Sequence, residues 1–512
     1  MNRTISVLAL ACPLLAQDPT MTVLGTYRTG LYNVGAAEIT AHDPQTHRLF
    51  VVNGGDKTID ILDIRNPANP TRITQVKMPV DVGDSANSVA VKNGVVAVAV
   101  QAAEKTDPGS VLFIDTNGTP VKSVKVGALP DMLTFTPDGK KVLVANEGEP
   151  SDDYKIDPEG SVSIVDISSG VGSLTQANVK TATFSSFTKQ NLPAGVRIYG
   201  PNATVAQDME PEYIAVSADS KTAYVTLQEN NALAIIDVDS ATVTKIAALG
   251  LKEHWREENS LDASDRDGGV SLRTWTVWGM YQPDAIAAYN GPDGKLYLLT
   301  ANEGDARAYT GFNEEARVSE LKLDPARYPQ AAENQLATEM GRLRTTNATG
   351  DLDGDGDFDM IHTFGARSFS VWDTAGQLVW DSANHFETIG SLNYAASLNV
   401  SNSDNVFDSR SDDKGPEPEA IIVATIRNRP CAFIANERQS NIMIYDMTEP
   451  RNPRYVGQYG NRNVTAATTT AAAGDLGPEG LFFIPAADSP NGNMIIVASN
   501  EISGTVTLWQ VN

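Results

Sequence analysis

Apolar side chains along this chain recur at every second position in short runs, and most of the runs end in aspartate. The first is Ile59-Asp60-Ile61-Leu62-Asp63, followed by Val111 to Asp115, Val162 to Asp166 and Leu233 to Asp237. A looser copy, Glu320-Leu321-Lys322-Leu323-Asp324, precedes Phe369 to Asp373, Ile442 to Asp446 and a final Val506-Thr507-Leu508-Trp509-Gln510. Alternation of this kind predicts strands with one buried side, whereas a helix would repeat every three to four residues. The closing Asp suits a tight turn, because its carboxylate can accept a hydrogen bond from backbone two residues on.

The copies extend beyond the strand. Asp63, Pro67, Asn69 and Pro70 have the same spacing as Asp446, Pro450, Asn452 and Pro453. An upstream strand is opened by proline and an acid at Pro130-Asp131, Pro211-Glu212, Pro283-Asp284, Pro418-Glu419 and Pro478-Glu479. Repeated units of four short strands predict an all-β fold: a single β-propeller of about eight four-stranded blades, or seven if two weak repeats share a sheet. The last copy stops after a third strand. Val23-Leu24-Gly25-Thr26-Tyr27 resembles the fourth-strand segment Tyr455-Val456-Gly457-Gln458-Tyr459. The N-terminal strand is therefore expected to complete the last blade, which removes two exposed sheet edges. Wider spacings predict loop insertions near 168–207, 251–279, 385–414 and 462–475.

Composition narrows the setting. The net charge is −25, from 39 basic and 64 acidic residues, which repels nucleic acid and anionic lipid. Arg3, the apolar stretch from Ile5 to Ala16 and small residues before Gln17 read as an export signal over 1–16, with the propeller occupying 17–512. Ala9 makes Cys12 a poor lipidation site. Once the leader is removed Cys431 is alone, so no intramolecular disulfide is expected. Apart from the leader, no apolar run is long enough for a transmembrane segment. Five histidines leave little material for a His-rich zinc site.

Candidate chemistry lies in carboxylates. Asp351, Asp353, Asp355, Asp357 and Asp359 alternate through a loop with Gly354 and Gly356. This spacing of oxygen donors predicts a Ca²⁺ loop with a structural role at a hairpin; His362 stands where an EF-hand would have its Glu. Because innermost strands share one channel mouth, Glu38, Asp131, Glu212, Asp284, Glu419 and Glu479 should form a ring there. Glu147, Glu149, Glu229, Glu303, Asp305, Glu437 and Glu501, at the returning ends of the second strands, should join it. Arg307, Arg367 and Arg438 follow closely. Such a mouth reads either as a metal cluster with arginines placed for an oxyanion or as turn acids paired to arginines. On the first reading Glu147, Glu212, Glu303, Glu419 and Glu479 hold a second divalent or trivalent metal, and Glu303, Arg307 and Arg367 are the candidate catalytic residues. The acidic segment Leu261 to Gly269 reads as a cover over the mouth, a further cation site, or an ordinary polar loop.

Several segments resemble the choice-of-anchor I family of secreted propellers, which is similar to the mesenchyme-specific cell-surface glycoprotein group. They include Asn146 to Pro150, Asp262 to Gly269, Gly279 to Ala285, Asn302 to Arg307, Gly311 to Val318, Phe364 to Ser370, Gly415 to Glu419 and Gly477 to Gly480. Smaller pieces are similar to YVTN and LVIVD repeats. The resemblance implies a secreted or surface-attached propeller. Members of the family commonly carry a sorting anchor, which is not expected after the last strand here. Some relatives have alkaline-phosphatase labels, so two functional expectations stand. The first is a secreted, calcium-binding scaffold for an extracellular ligand; the alternative is a metal-dependent phosphoesterase acting at the mouth.

Overall fold

The computed structural model describes residues 17–512. The expected export signal over 1–16, with Cys12, lies outside the described residues. The described chain forms seven four-stranded antiparallel sheets, together with a small three-stranded and a two-stranded sheet. The six sheets nearest the start of the chain run outward in sequence order: Thr40–Asp43 to Thr71–Lys77, Ser85–Lys92 to Pro120–Ala128, Pro130–Phe135 to Val179–Thr183, Pro211–Val216 to Thr242–Ala248, Ile286–Asn290 to Leu378–Asp381, and Pro418–Ile426 to Arg454–Tyr459. In the seventh, Pro478–Ile484, Met494–Asn500 and Thr505–Val511 are completed by Met21–Arg28, with Met21 opposite Val511 and Arg28 opposite Thr505.

The strand alternation selects the third strand of every sheet. The runs ending near Asp63, Asp115, Asp166, Asp237, Asp373, Asp446 and Gln510 all occupy that place. Second and third strands are buried along almost their whole length, whereas a fourth strand such as Thr71–Lys77 is largely exposed. Inner strands thus have both faces covered by neighbouring sheets, as stacked blades require. The apolar clusters confirm the arrangement. Leu49, Val51 and Leu62 of the first sheet pack with Ile495, Val497 and Leu508 of the seventh. Each other consecutive pair shares a core of the same kind. The seven first strands touch one another in ring order, the last meeting the first. Each sheet itself stays open, and closure is by packing between sheets plus the one terminal strand pair.

The described residues form seven four-stranded sheets, and the looser copy at Glu320–Asp324 is a strand of none of them. It lies between the second and third strands of the fifth sheet, where Leu323 makes only an isolated bridge to Phe358. Leu321 and Leu323 join Val277, Tyr328, Leu343 and Ile361 in a separate small core. Val179–Thr183, inside the expected 168–207 insertion, is instead a blade strand.

Register fixes where the insertions emerge. Asn302 pairs with Ser368, so residues 303–367 leave and re-enter at that end of the fifth sheet. Ala248 lies opposite Ala232, itself opposite Leu227, so the segment after 248 starts from the same end. The chain from Asp381 to Pro418 does likewise, and these insertions cover the channel mouth.

Candidate functional site

The mouth is assembled from one local device used repeatedly. Pro130 pairs with Asn146, Pro211 with Leu227, Pro418 with Asn436 and Pro478 with Asn500, and each pairing is followed by a break in register. The extra residues of these bulges include Asp131, Glu212, Glu419 and Glu479. A bulge bends the strand and redirects its side chains, here towards the axis. Leu129 and Glu417, each preceding a proline of this set, and Gln282, which precedes Pro283, have φ of 44°, 52° and 40°. Such left-handed conformations are uncommon for side chains of this size. The carbonyls of Leu129, Glu417 and Gly477 accept hydrogen bonds from the amides of Glu147, Glu437 and Glu501 at 2.9, 2.8 and 2.8 Å. Acids from first and second strands are thereby fixed side by side.

Carboxylates far outnumber cations there. A cavity of about 330 Å³ is lined by Glu38, Asp131, Glu147, Glu149, Asp284, Glu479 and Glu501, with Tyr213 at its inner end. Burial, then the charges of Glu501 and Asp131, pushes Glu38 up to about 8. Burial and Glu149 push Asp131 up to about 6. Glu147, Glu212, Asp284, Glu419 and Glu479 are all held well above the usual carboxylate range, chiefly by burial and then by the other carboxylates of the mouth. The basic partners concentrate on one acid. Glu417 receives Arg410 at 2.7 Å, Arg438 at 2.9 Å and Lys414 at 3.4 Å. Against the cost of burial, those three charges hold it well below its ordinary value.

Beside that cluster, carboxylate oxygens of Glu303, Glu419 and Glu437 lie within 4.8 Å of one another. Glu303 accepts from Lys414 Nζ and, at 3.0 Å, from Gln228 Nε2. Glu437 accepts from Asn402 Nδ2 at 2.9 Å and pairs with Arg438 at 2.9 Å. Glu419 is 6 % exposed, yet its Oε2 has no hydrogen-bond partner. Ionised carboxylates only accept; Lys414 and Arg438 serve Glu303 and Glu437, and Glu419 between them is left needing a proton or a cation. Oxygen donors alone suit a hard divalent ion.

The expected acids meet at the mouth, where Arg438 pairs with Glu417 and Glu437 as turn acids paired to arginines would, whereas Arg307 and Arg367 turn to other partners. Arg307 is 2 % exposed and reaches away from Glu303. It pairs with Asp208, donates to the Asp208 carbonyl at 2.9 Å, lies 2.9 Å from Glu210, and stacks 4.5 Å from the Tyr199 ring. Arg367 donates to the carbonyls of Asp262, Ser411 and Asp413 at 2.8, 2.7 and 2.7 Å, and to Glu387 at 2.8 Å. Both guanidinium groups tie insertion segments together, and neither presents a free fork to an oxyanion. Lys414 and Glu417 were not singled out from sequence; the Gly415 to Glu419 segment, which contains Glu417 and follows Lys414, was the only pointer. Asp208 and Glu210 gave no signal, since their role depends on the distant Arg307.

The aspartate loop divides. Asp351, Asp353 and Asp359 bring oxygens within 4.8 Å of one another. Asp351 also accepts from the Gly354 and Gly356 amides at 2.7 and 3.0 Å, with φ of 80° and 89° at those glycines. Asp355 and Asp357 lie outside the group; Asp357 faces Lys322 at 3.3 Å. The loop is not the tip of a blade hairpin. It belongs to the 303–367 insertion, and the strand after it is His362–Thr363, parallel to Trp278–Met280.

A model of the choice-of-anchor I domain matches residues 38–450. The chain belongs to the choice-of-anchor I family. In this member the match takes in the mouth from Glu38 to Glu437, while Glu479 and Glu501 lie beyond it. Among curated relatives, Gigasin-3a of Magallana gigas is 31 % identical over 191 residues, covering 34 % of this chain and 63 % of its own length. The mesenchyme-specific cell surface glycoprotein of Strongylocentrotus purpuratus is 27 % identical over 292 residues, covering 48 % of this chain and 36 % of its own. The choice-of-anchor I chain thus spans less than two thirds of either relative. Solved structures similar to it include Kuenenia stuttgartiensis hydrazine synthase (TM-score 0.47, 15 % identity, 94 % of this chain and 98 % of that one). The Cps50 (Swd1) β-propeller domain of Myceliophteria thermophila has TM-score 0.45 and 10 % identity, covering 96 % and 100 %. Among the described residues, no helix of this family member is long and apolar enough to cross a membrane, and Cys431 is buried and free.

Proposed function

We propose that this protein is an extracellular or surface-located binding scaffold whose channel mouth holds a divalent cation, with Ca²⁺ as the ion of choice. The observation that carries the reading is Glu419. Its Oε2 is buried without a partner among oxygens of Glu303 and Glu437. A cation at that point would offset the repulsion that raises the surrounding carboxylates, and would leave coordination positions open towards the cavity. An oxygen-bearing ligand entering the mouth could complete the ion's shell. Family membership and the name of the Strongylocentrotus relative support the location. Asp351, Asp353 and Asp359 supply a second Ca²⁺ position of structural type on the surface of the insertion.

The phosphoesterase alternative finds no support, because Arg307 and Arg367 are occupied by protein partners. Calcium titration calorimetry tests the scaffold reading. Glu419→Gln should remove one bound equivalent and Asp353→Ala a different one, with the fold retained in both. Wild-type stoichiometry in Glu419→Gln would refute the mouth site.

A further inference from the structure

The insertions contain a second group of carboxylates that the mouth does not use. Among the described residues Asp262, Asp267 and Asp408 make no salt bridge, while arginines of these insertions pair with other acids: Arg342 with Asp265 and Asp412, Arg317 with Asp412, and Arg410 with Asp413. Arg367 reaches the Asp262 backbone carbonyl and the Glu387 carboxylate but leaves the Asp262 carboxylate without a counter-charge. Asp262 is 0 % exposed, and one oxygen each of Asp262, Asp267 and Asp408 is buried without a partner. Neutralising cations are thus directed to the neighbours and withheld from these three.

An independent feature points to what fills the gap. Asn399 is 0 % exposed, and both its Oδ1 and its Nδ2 lack a hydrogen-bond partner. The Asn399 side chain comes up against the Asp408 carboxyl without forming a well-aligned hydrogen bond, and the Asp262 and Asp408 carboxyls lie close enough to share a proton or a cation. Asn399 and Asp408 both take left-handed backbone conformations, φ 49° and 68°, and the Arg410 amide donates to the Asn399 carbonyl at 2.8 Å. Burying an amide with neither end satisfied is costly. An asparagine beside two aspartates, with its amide turned oxygen inward, makes a donor set for a hard cation.

We propose that Asp262, Asn399 and Asp408 form a further Ca²⁺ site, with Asp267 at its edge, that joins the 251–279 and 385–414 insertions over the channel mouth. The ion would replace the missing counter-charge and give the Asn399 oxygen its partner. Burial, then Glu387 and Asp408, pushes Asp262 up to about 8. The site also anchors the start of the segment that carries Arg410, Lys414 and Glu417 into the mouth, so it fixes the lysine that pairs with Glu303.

Calcium binding by the full chain, measured by equilibrium dialysis alongside thermal unfolding, tests this. Asp408→Asn should lose one equivalent that Glu419→Gln retains. Its melting temperature in chelator should equal or exceed that of wild type, because an uncompensated buried charge has gone; a purely structural Asp408 would instead give a lower one. Full wild-type stoichiometry in both Asp408→Asn and Asp262→Asn overturns the proposal. If neither variant folds, hydrogen exchange on wild type decides. Saturating Ca²⁺, at 100 times its Kd, should slow exchange in 262–269 and 399–413 by up to about 100-fold. Unchanged exchange in both segments overturns it.

Discussion

Glu419 and Glu417 are two residues apart and meet opposite fates. Glu417 sits among three cations, whereas Glu419 faces two other glutamates with one oxygen unpartnered. Glu419→Gln keeps the shape and removes a buried charge. In chelator it should stabilise the protein by roughly 1–3 kcal/mol, the cost of leaving such a group unpaired, measured by urea unfolding. Lys414→Met should do the reverse. It strips Glu303 and Glu417 of a shared buried cation and should cost about 3–5 kcal/mol in the same measurement. Glu303, Glu419 and Glu437 were legible from sequence, because each follows a proline or an asparagine at a strand end. Their partners were not. Lys414, and the Asp208–Glu210 pair around Arg307, come from segments about 100 residues from the groups they contact, and no local pattern announces such meetings.

At the scale of elements, alternation identified every third strand of the ring and one segment that is not a blade strand. Glu320–Asp324 carries the same period because Leu321 and Leu323 also bury one side, but their neighbours are the small core of the insertion. Period two reports which side is covered, not by what. The distinction has a measurable consequence. Trp372 is 1 % exposed in the third strand of the fifth sheet, packs on Tyr281 at 5.0 Å between ring centres, and donates its indole N–H to Thr300 at 2.8 Å. Trp372→Ala should cost about 3–5 kcal/mol of global stability. Leu323→Ala should act mainly by speeding hydrogen exchange within 316–361, with little change at the third strands of the ring. Equal loss of protection across the ring in both variants would contradict that division. The insertions themselves were legible as breaks in spacing, but their common emergence at the mouth required the strand register.

For the whole molecule, ring closure concentrates negative charge at one end of the axis. Glu38 and Asp131 are raised to about 8 and about 6. Above the unfolded pKa, near 4, the folded state therefore holds more protons than the unfolded chain, and stability falls as pH rises through those values. Ion-paired carboxylates such as Asp18, held down to about 2 first by its hydrogen bond to Arg454, finish titrating below this window and do not mask the trend. In chelator the melting temperature should drop between pH 5 and pH 9, and Ca²⁺ should flatten the drop; a rise over that range would be inconsistent with the ring. Overall architecture and terminal closure were legible because every repeat shows the same pattern, whereas the count of seven depended on which strands found partners. The central claim is that this closure makes a cation site out of Glu303, Glu419 and Glu437. Anomalous diffraction from crystals soaked in Tb³⁺, a Ca²⁺ substitute, tests it most directly. The account predicts a strong peak among those three carboxylates; peaks confined to the insertion loops, with none at the mouth, would contradict it.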